Sequence, residues 1–336
     1  MPINLSKQIL FFSMTLICLL SYIFLGELSS FISTFFPFIS LLHKSQLTLI
    51  DTNQYFFFLK THILYLVGFF SCFTIEALIL GWNNSSLKKI SCFSTTSART
   101  DIFYVWLRIS GLTDAFFNII FLGFGFYFLS VIRGLSVIKL NNYFLEFIIA
   151  VLSITFIHYF FHRISHHKYF WELHKLHHSA SEMNIFTSSR EHPLVVAVWN
   201  FCQVIPTALL GVRDEVLFVY LGFQGIYNMF IHSKIEVIPS WAKFMITTND
   251  HHIHHSMNPK HFSTNYGMVL SIWDRIFGTY FKPEKDQIVT MGIEDKNYNK
   301  DLFFKEILFV VLRWIKEISP GSSDTKPSDT FNKVNK

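Results

Sequence analysis

Residues 158–178 read HYFFHRISHHKYFWELHKLHH, and this stretch decides how the rest of the chain is understood. His162 and His166 stand four apart, and His174, His177 and His178 form an HxxHH. A second HxxHH follows at His251, His254 and His255. Residues three and four apart share one face of a helix, so each of these three boxes turns its imidazoles in one direction. Fourteen of the 16 histidines lie between His158 and His261, under a third of the chain, so composition alone does not explain the clustering. Neutral imidazole binds iron, copper, nickel and zinc. Eight box histidines are more than a single ion takes, and they suit two ions close together. His192 (in Arg190-Glu191-His192-Pro193) and His232 are read as further ligands. His158, one turn before His162, is read as a supporting or packing residue, and His43 and His62 as core or interfacial ones. His167, His252 and His261 fall off the repeated spacing and are expected to be solvated or supporting. Low-complexity metal-sequestering loops lack the aromatic, helical sequence that surrounds these boxes.

Working outward, the first box continues directly from an apolar segment at 143–161, and three more apolar segments precede it at 8–30, 55–82 and 103–132. Only 15% of residues are charged against 51% hydrophobic, with a mean hydropathy of +0.36, where soluble domains carry about a quarter charged residues. From Gln8 to Gly26 no residue is charged, and Glu27 is the only charged one before Lys44. A helix of about 20 apolar residues crosses the hydrocarbon core, so the block is read as a retained anchor, too long for a cleaved signal and followed by further spans. Arg108 and Asp114 weaken the third segment, whose membrane core is expected to begin near Ala115. The fold class is therefore an all-α integral membrane protein with about four transmembrane helices and a helical His-box domain. Lysines and arginines concentrate on the side that would carry the boxes, which places that side in the cytosol.

The domain reading is 1–142 for the N-terminal membrane region, 143–282 for the catalytic region and 283–318 for a C-terminal interfacial segment. A disordered tail is expected over 319–336. Residues 194–230, interrupted by Pro206, Gly211, Arg213, Asp214 and Glu215, read as a broken or half-inserted hairpin, and 303–316 as an interfacial amphipathic helix. Cys18, Cys72, Cys92 and Cys202 show no paired spacing and form neither a disulfide framework nor a Cys-rich metal site. The net charge of +5 is dispersed, with no basic stripe to suggest nucleic acid.

Over residues 155–281 the chain resembles the fatty acid hydroxylase superfamily, also called the sterol desaturase family. The resemblance rests on the three boxes in order, then Asn265-Tyr266-Gly267 and Trp273-Asp274-Arg275-Ile276-Phe277-Gly278-Thr279. His178-Ser-Ala-Ser-Glu182-Met-Asn184, followed by Arg190-x-His192-Pro193, is similar to the alkylglycerol-monooxygenase-like branch with its many bacterial members. The resemblance implies two iron ions, O2 as co-substrate, cytosolic-facing catalysis and a lipid or sterol-like substrate from the bilayer that is hydroxylated or desaturated. It implies His162, His166, His174, His177, His178, His251, His254 and His255 as the catalytic ligand set. Many members carry an acidic residue seven before the first box histidine, where this chain has Thr155, and an aromatic is common at the position of His158. Glu172, Glu182, Glu191 and Asp250 are the candidates to replace that acid as an orienting group. Arg190, Asn265, Asp274 and Arg275 are expected to tie the boxes together.

Imidazole alone would also accept zinc; iron follows from the O2 chemistry that a lipid C–H bond demands, not from the ligands. No GxGxxG after a strand, CxxCH or iron–sulfur cysteine spacing is found. Electrons are therefore expected from a separate cytochrome, ferredoxin with its reductase, or reduced pterin. The competing classes are a membrane metal transporter and a non-catalytic metal-binding or lipid-binding relative. Transport calls for ionisable residues along several spans, whereas here they concentrate on one side, and eight intact box histidines speak against decay.

Overall fold

The computed structural model describes residues 67–91, 95–110, 112–113, 131–132, 134–136, 140–235, 243–284, 289–301 and 303–319. The expected first span at 8–30, the membrane core expected from Ala115 and the tail beyond Ser319 lie outside the described residues. The described chain is helical, and its strand-like pairings are two isolated bridges, Met245 with Leu270 and Ser256 with Met291.

The helix α1 covers Val67–Leu80, α2 Ser86–Ser91 and α3 Thr96–Ile109. Then come α4 (Tyr143–Ser165), α5 (Trp171–His178), α6 (Pro193–Leu209), α7 (Asp214–Ile231), α8 (Thr248–His254), α9 (Ile272–Ile276) and α10 (Phe304–Ile318). Among the described residues α4 alone is long and apolar enough to cross a bilayer, while α1 and α6 are shorter apolar helices. The third apolar segment, read as 103–132, begins inside α3. That helix buries Ser97, Thr100 and Asp101 alongside Phe103, Tyr104 and Leu107, so it packs into the protein as well as being apolar.

Asn142 starts α4 by accepting the Leu145 amide at 3.0 Å, an ordinary N-cap. In its first turn Glu146 is buried and takes both the backbone amide and the side-chain Nε of Arg213 at 3.0 Å, which fastens α4 to the start of α7. The hairpin expected over 194–230 is α6 and α7, joined by a turn in which Gly211 takes φ +68°, a left-handed conformation that glycine adopts without steric cost. Ala150 and Ile154 of α4 pack on Val212, Val216, Leu217 and Tyr220. A second core joins Phe103, Tyr104 and Leu107 of α3 to Leu173 and Leu176 of α5 and to Val310 of α10. The second box is thus held from both sides.

A fully buried ion pair ties α3 to the segment that follows the second box. Arg190 Nε donates to Asp101 Oδ1 at 2.7 Å, and the other carboxylate oxygen accepts from Asn184 Nδ2 at 2.6 Å. The remaining guanidinium donors reach Ser179 Oγ, Asn299 Oδ1 and Ser97. Removing one partner of a buried pair leaves a desolvated charge unmatched. Asp101→Ala is therefore expected to lower the unfolding free energy by about 3–5 kcal/mol, measured by reversible unfolding in mixed micelles; a change within about 0.5 kcal/mol, the range of an ordinary surface substitution, would show that the pair is not structural.

Candidate metal centre

The box helices are short, and their caps fix where they begin. Thr247 and Asp250 form a reciprocal capping box at the start of α8, so His251, His254 and His255 leave the first two turns on one side. His162 ends α4, with His166 as its C-cap residue, and α5 supplies His174, His177 and His178. These elements converge. His162, His166, His174, His178 and His254 form one group, and His177, His232, His251 and His255 a second; within each group the candidate ligand atoms lie within 4.8 Å of one another. All nine side chains are buried, and the groups adjoin where His178 and His255 stack with ring centroids 4.3 Å apart.

Backbone carbonyls determine what these rings offer. The Nδ1 of His162 meets the Tyr266 carbonyl at 2.7 Å, that of His254 meets Thr264 at 2.7 Å, that of His177 meets Arg190 at 3.0 Å and that of His232 meets Asn228 at 2.7 Å. A carbonyl only accepts, so each Nδ1 carries the proton and each Nε2 presents a lone pair. His174 is set the same way by the Glu191 carboxylate at 3.2 Å. The Nε2 atoms then face one another, bare on both sides in the His162–His174 pair. His162 Nε2 stands 3.1 Å from His174 Nε2, and His232 Nε2 stands 3.0 Å from His251 Nε2. His166 and His254 meet at 3.2 Å, and His251 and His255 at 3.1 Å, through the same atoms. The His162–His174 contact has no proton to share, so it is repulsive unless a cation sits against both. A metal–imidazole bond is about 2.0–2.1 Å long, which puts two ligands at right angles on one ion about 3.0 Å apart. The observed separations fit that spacing. His178 Nε2 is buried without a hydrogen-bond partner, and a metal would answer that orphan. The donor set suits one transition-metal ion per group.

Not every residue singled out in the sequence joins them. His192, read as a ligand, stands apart: its Nδ1 caps α6 by accepting the Leu194 amide, and its Nε2 donates to the Ile307 carbonyl of α10, both at 3.2 Å. Both nitrogens are spent, and Pro193 at the first helical position accounts for the arrangement. His158 packs against Trp199 and His162, and His252 reaches the Ser233 carbonyl. Of the four acids considered as orienting groups, Glu191 is the one that meets box histidines, with its second oxygen 3.7 Å from His177 Nδ1. It thereby touches one ring from each group. Glu182 accepts from Thr95, Glu172 pairs with Lys175 and Arg313, and Asp250 caps α8.

The Asn265-Tyr266-Gly267 and Trp273–Thr279 segments act on the first box through the backbone. Buried Asp274 accepts the amides of Tyr266 and Gly267 at 2.8 Å and the Thr279 hydroxyl at 2.7 Å, which aims the Tyr266 carbonyl at His162. A Cβ on Gly267 would come within 2.9 Å of the Asp274 carboxylate and 2.5 Å of the Leu270 carbonyl, so glycine is required there. Asn265, at φ +55°, bonds the carbonyls of Asp250 and Phe281 and ties α8 to the same loop. Arg275 is more peripheral, stacked on Tyr280. Thr155, where an acid is common, accepts Trp273 Nε1 at 3.0 Å.

Burial without a charged partner pushes the rings down in pKa: His174 and His254 to about 3, and His177 to about 4 despite the opposing pull of Glu191. Burial pushes Glu191 up to about 7, with His177 drawing it back. The rings are therefore neutral and ready as ligands at any physiological pH.

Residues 147–279 match the family described as fatty acid hydroxylase. Alkylglycerol monooxygenase of Danio rerio is 31% identical over 169 residues, 49% of this chain and 37% of that protein. The Homo sapiens protein of the same name is 34% identical over 143 residues, 42% of this chain and 31% of that protein. An ornithine lipid hydroxylase of Rhizobium tropici is 29% identical over 141 residues, 41% of this chain and 42% of that protein. The chain thus spans well under half the length of these curated relatives. No solved structure matches it.

Two outcomes follow from this geometry. In metal-free protein the unfolded chain takes up protons on these rings below about pH 6.5, while the folded rings resist until about pH 3–4. The unfolded state then binds more protons across that window, so stability falls as the pH drops through it, by about 1.4 kcal/mol per ring per pH unit. Melting of the metal-free protein in detergent is expected to be level above pH 7 and to collapse between about pH 6.5 and 4; a level profile throughout would contradict neutral burial. Separately, His177→Ala and His251→Ala are each expected to lower bound metal toward one ion per chain, while His192→Asn keeps the wild-type content, read by elemental analysis of matched preparations.

Proposed function

We propose that this chain, whose residues 147–279 match the fatty acid hydroxylase family, is an integral membrane enzyme using two iron ions and O2 to hydroxylate a C–H bond of a lipid. The observation that supports this most strongly is the pair of buried imidazole groups whose candidate ligand nitrogens converge, with two bare nitrogens facing each other in the first. His162, His166, His174, His178 and His254 would hold one ion, and His177, His232, His251 and His255 the other. Iron bound there supplies reductive activation of O2, in which a C–H bond, O2, two electrons and two protons become an alcohol and water.

The chain's own residues do the positioning. The carbonyls of Tyr266, Thr264, Arg190 and Asn228 keep the ligand nitrogens deprotonated. Glu191 accepts from His174 and reaches toward His177, so it orients one ring of each group. The first group sits at the end of α4, whose Leu145, Ile148, Leu152 and Phe156 are exposed, so an acyl chain in the bilayer can approach along that helix.

In this reading about four spans cross the membrane, the catalytic region is 143–282, and the histidines face the cytosol. Electrons come from a separate cytochrome, ferredoxin or reduced pterin, and desaturation of the same bond is the variant reaction. The names of the relatives support a lipid substrate. The test is lipid profiling of cells carrying the wild-type protein or His177→Ala. A lipid gaining one oxygen (about 16 Da) or losing two hydrogens only with the wild-type protein is expected. No such species, with iron fully loaded and each donor class supplied to the purified protein, counts against the enzyme.

A further inference from the structure

Helix α10 has two chemically different faces. Inward, Glu306 and Val310 are buried, the latter against Leu173 and Leu176 of the second-box helix. On the same side Arg313 pairs with Glu172 at 3.1 Å, Trp314 Nε1 donates to the Tyr169 carbonyl at 2.8 Å, and the Ile307 carbonyl accepts from His192. Outward, Phe304, Leu308, Leu312 and Ile315 are 58%, 60%, 57% and 47% exposed. Their spacing of four, four and three residues makes one continuous stripe along the helix. A row of large apolar side chains in water is unfavourable by about 25 cal/mol per Å², and rows of this kind mark a contact surface.

The stripe is continuous with the membrane face of α4. Tyr169, to which Trp314 is bonded, lies just past Ser165, where α4 ends. The exposed apolar side chains of α4 reach Ile164 at that end, and exposed Tyr169 and Phe170 carry the surface on toward α10. Tyrosine and tryptophan concentrate at the boundary between hydrocarbon and headgroups. The exposed lysines flanking the stripe, Lys305 and Lys316, match the phosphates found at that depth. At 1.5 Å per residue α10 is about 22 Å long, short of the roughly 30 Å hydrocarbon core, so it lies along the interface. We propose that α10 docks on the lipid surface through Phe304, Leu308, Leu312 and Ile315, at the level where α4 leaves the membrane. Its inward contacts then set the second histidine box against the bilayer boundary.

The test uses the full chain in vesicles of phosphatidylcholine and phosphatidylglycerol. Nitroxide labels are placed one at a time at Leu308→Cys, Leu312→Cys and, as a water-exposed control, Lys260→Cys, with the four native cysteines replaced by serine. At 308 and 312 the accessibility to O2 is expected to exceed that to a water-soluble nickel chelate several-fold, with the order reversed at 260. Chelate access at 308 and 312 equal to that at 260 would overturn the docking. So would immobilised labels reached by neither reagent, which would mean that another part of this chain covers the stripe. Dipolar broadening that grows with the protein-to-lipid ratio would name a second copy as the occupant instead. Each labelled protein is checked for wild-type metal content, so misfolding is scored separately from location.

Discussion

Two imidazole nitrogens facing each other at 3.1 Å, each with its proton on the far side of the ring, is the constraint around which this protein is built. Such a contact is repulsive in an empty protein and becomes favourable with one cation bound to both nitrogens. Its existence depends on what holds the outer nitrogens. Tyr266 offers its carbonyl to His162 because Asp274 grips the neighbouring amides. The Arg190 carbonyl faces His177 because the guanidinium is locked onto Asp101. Asn228 serves His232 from the last turn of α7. Much of the polar interior is therefore machinery for aiming carbonyls at the outer nitrogens of these rings.

The convergence of the boxes was legible in the sequence because spacing on a helix is local information. His162/His166, His174/His177/His178 and His251/His254/His255 needed only the helix period to be read as shared faces, and the helix seen at Phe304–Ile318 carried an equally local pattern. What could not be read was what the rings touch behind the ligand nitrogens, since every residue has a carbonyl and side-chain identity says nothing about where it points. Asp101 illustrates the same gap: it lies 89 residues before its partner Arg190, two residues ahead of a segment whose apolar character invited a membrane reading. His192 was misread for a different reason. The tetrapeptide Arg-Glu-His-Pro suits a ligand and an N-cap equally; the proline after it was the signal that favoured the cap.

Glu191 and Thr155 together show how a departure from the family pattern is absorbed. Where the family resemblance leads one to expect an acid, the Thr155 hydroxyl serves Trp273 and couples α4 to α9, the helix carrying Asp274. The orienting carboxylate near the centre is instead Glu191, which meets His174 of one group and approaches His177 of the other. A single carboxylate in contact with both groups links their geometry: a shift that improves its bond to one ring is felt by the other. The outer partners of metal-bound imidazoles tune affinity and ring orientation, so this residue acts on both groups at once.

The shortness of the box helices would make a bound metal part of the fold. Helix α5 has 8 residues and α8 has 7, far below the length at which a helix is stable by itself. Apolar packing holds only part of them, since their inner faces are imidazoles rather than hydrocarbon. Each group of histidines draws from several elements: the first from α4, α5 and α8, the second from α5, α7 and α8. Binding that requires all of these in place must stabilise all of them together. The facing nitrogens, a cost to the empty protein, would become cross-links once a metal bound them, so the arrangement that suits a metal would also couple its binding to the folded state.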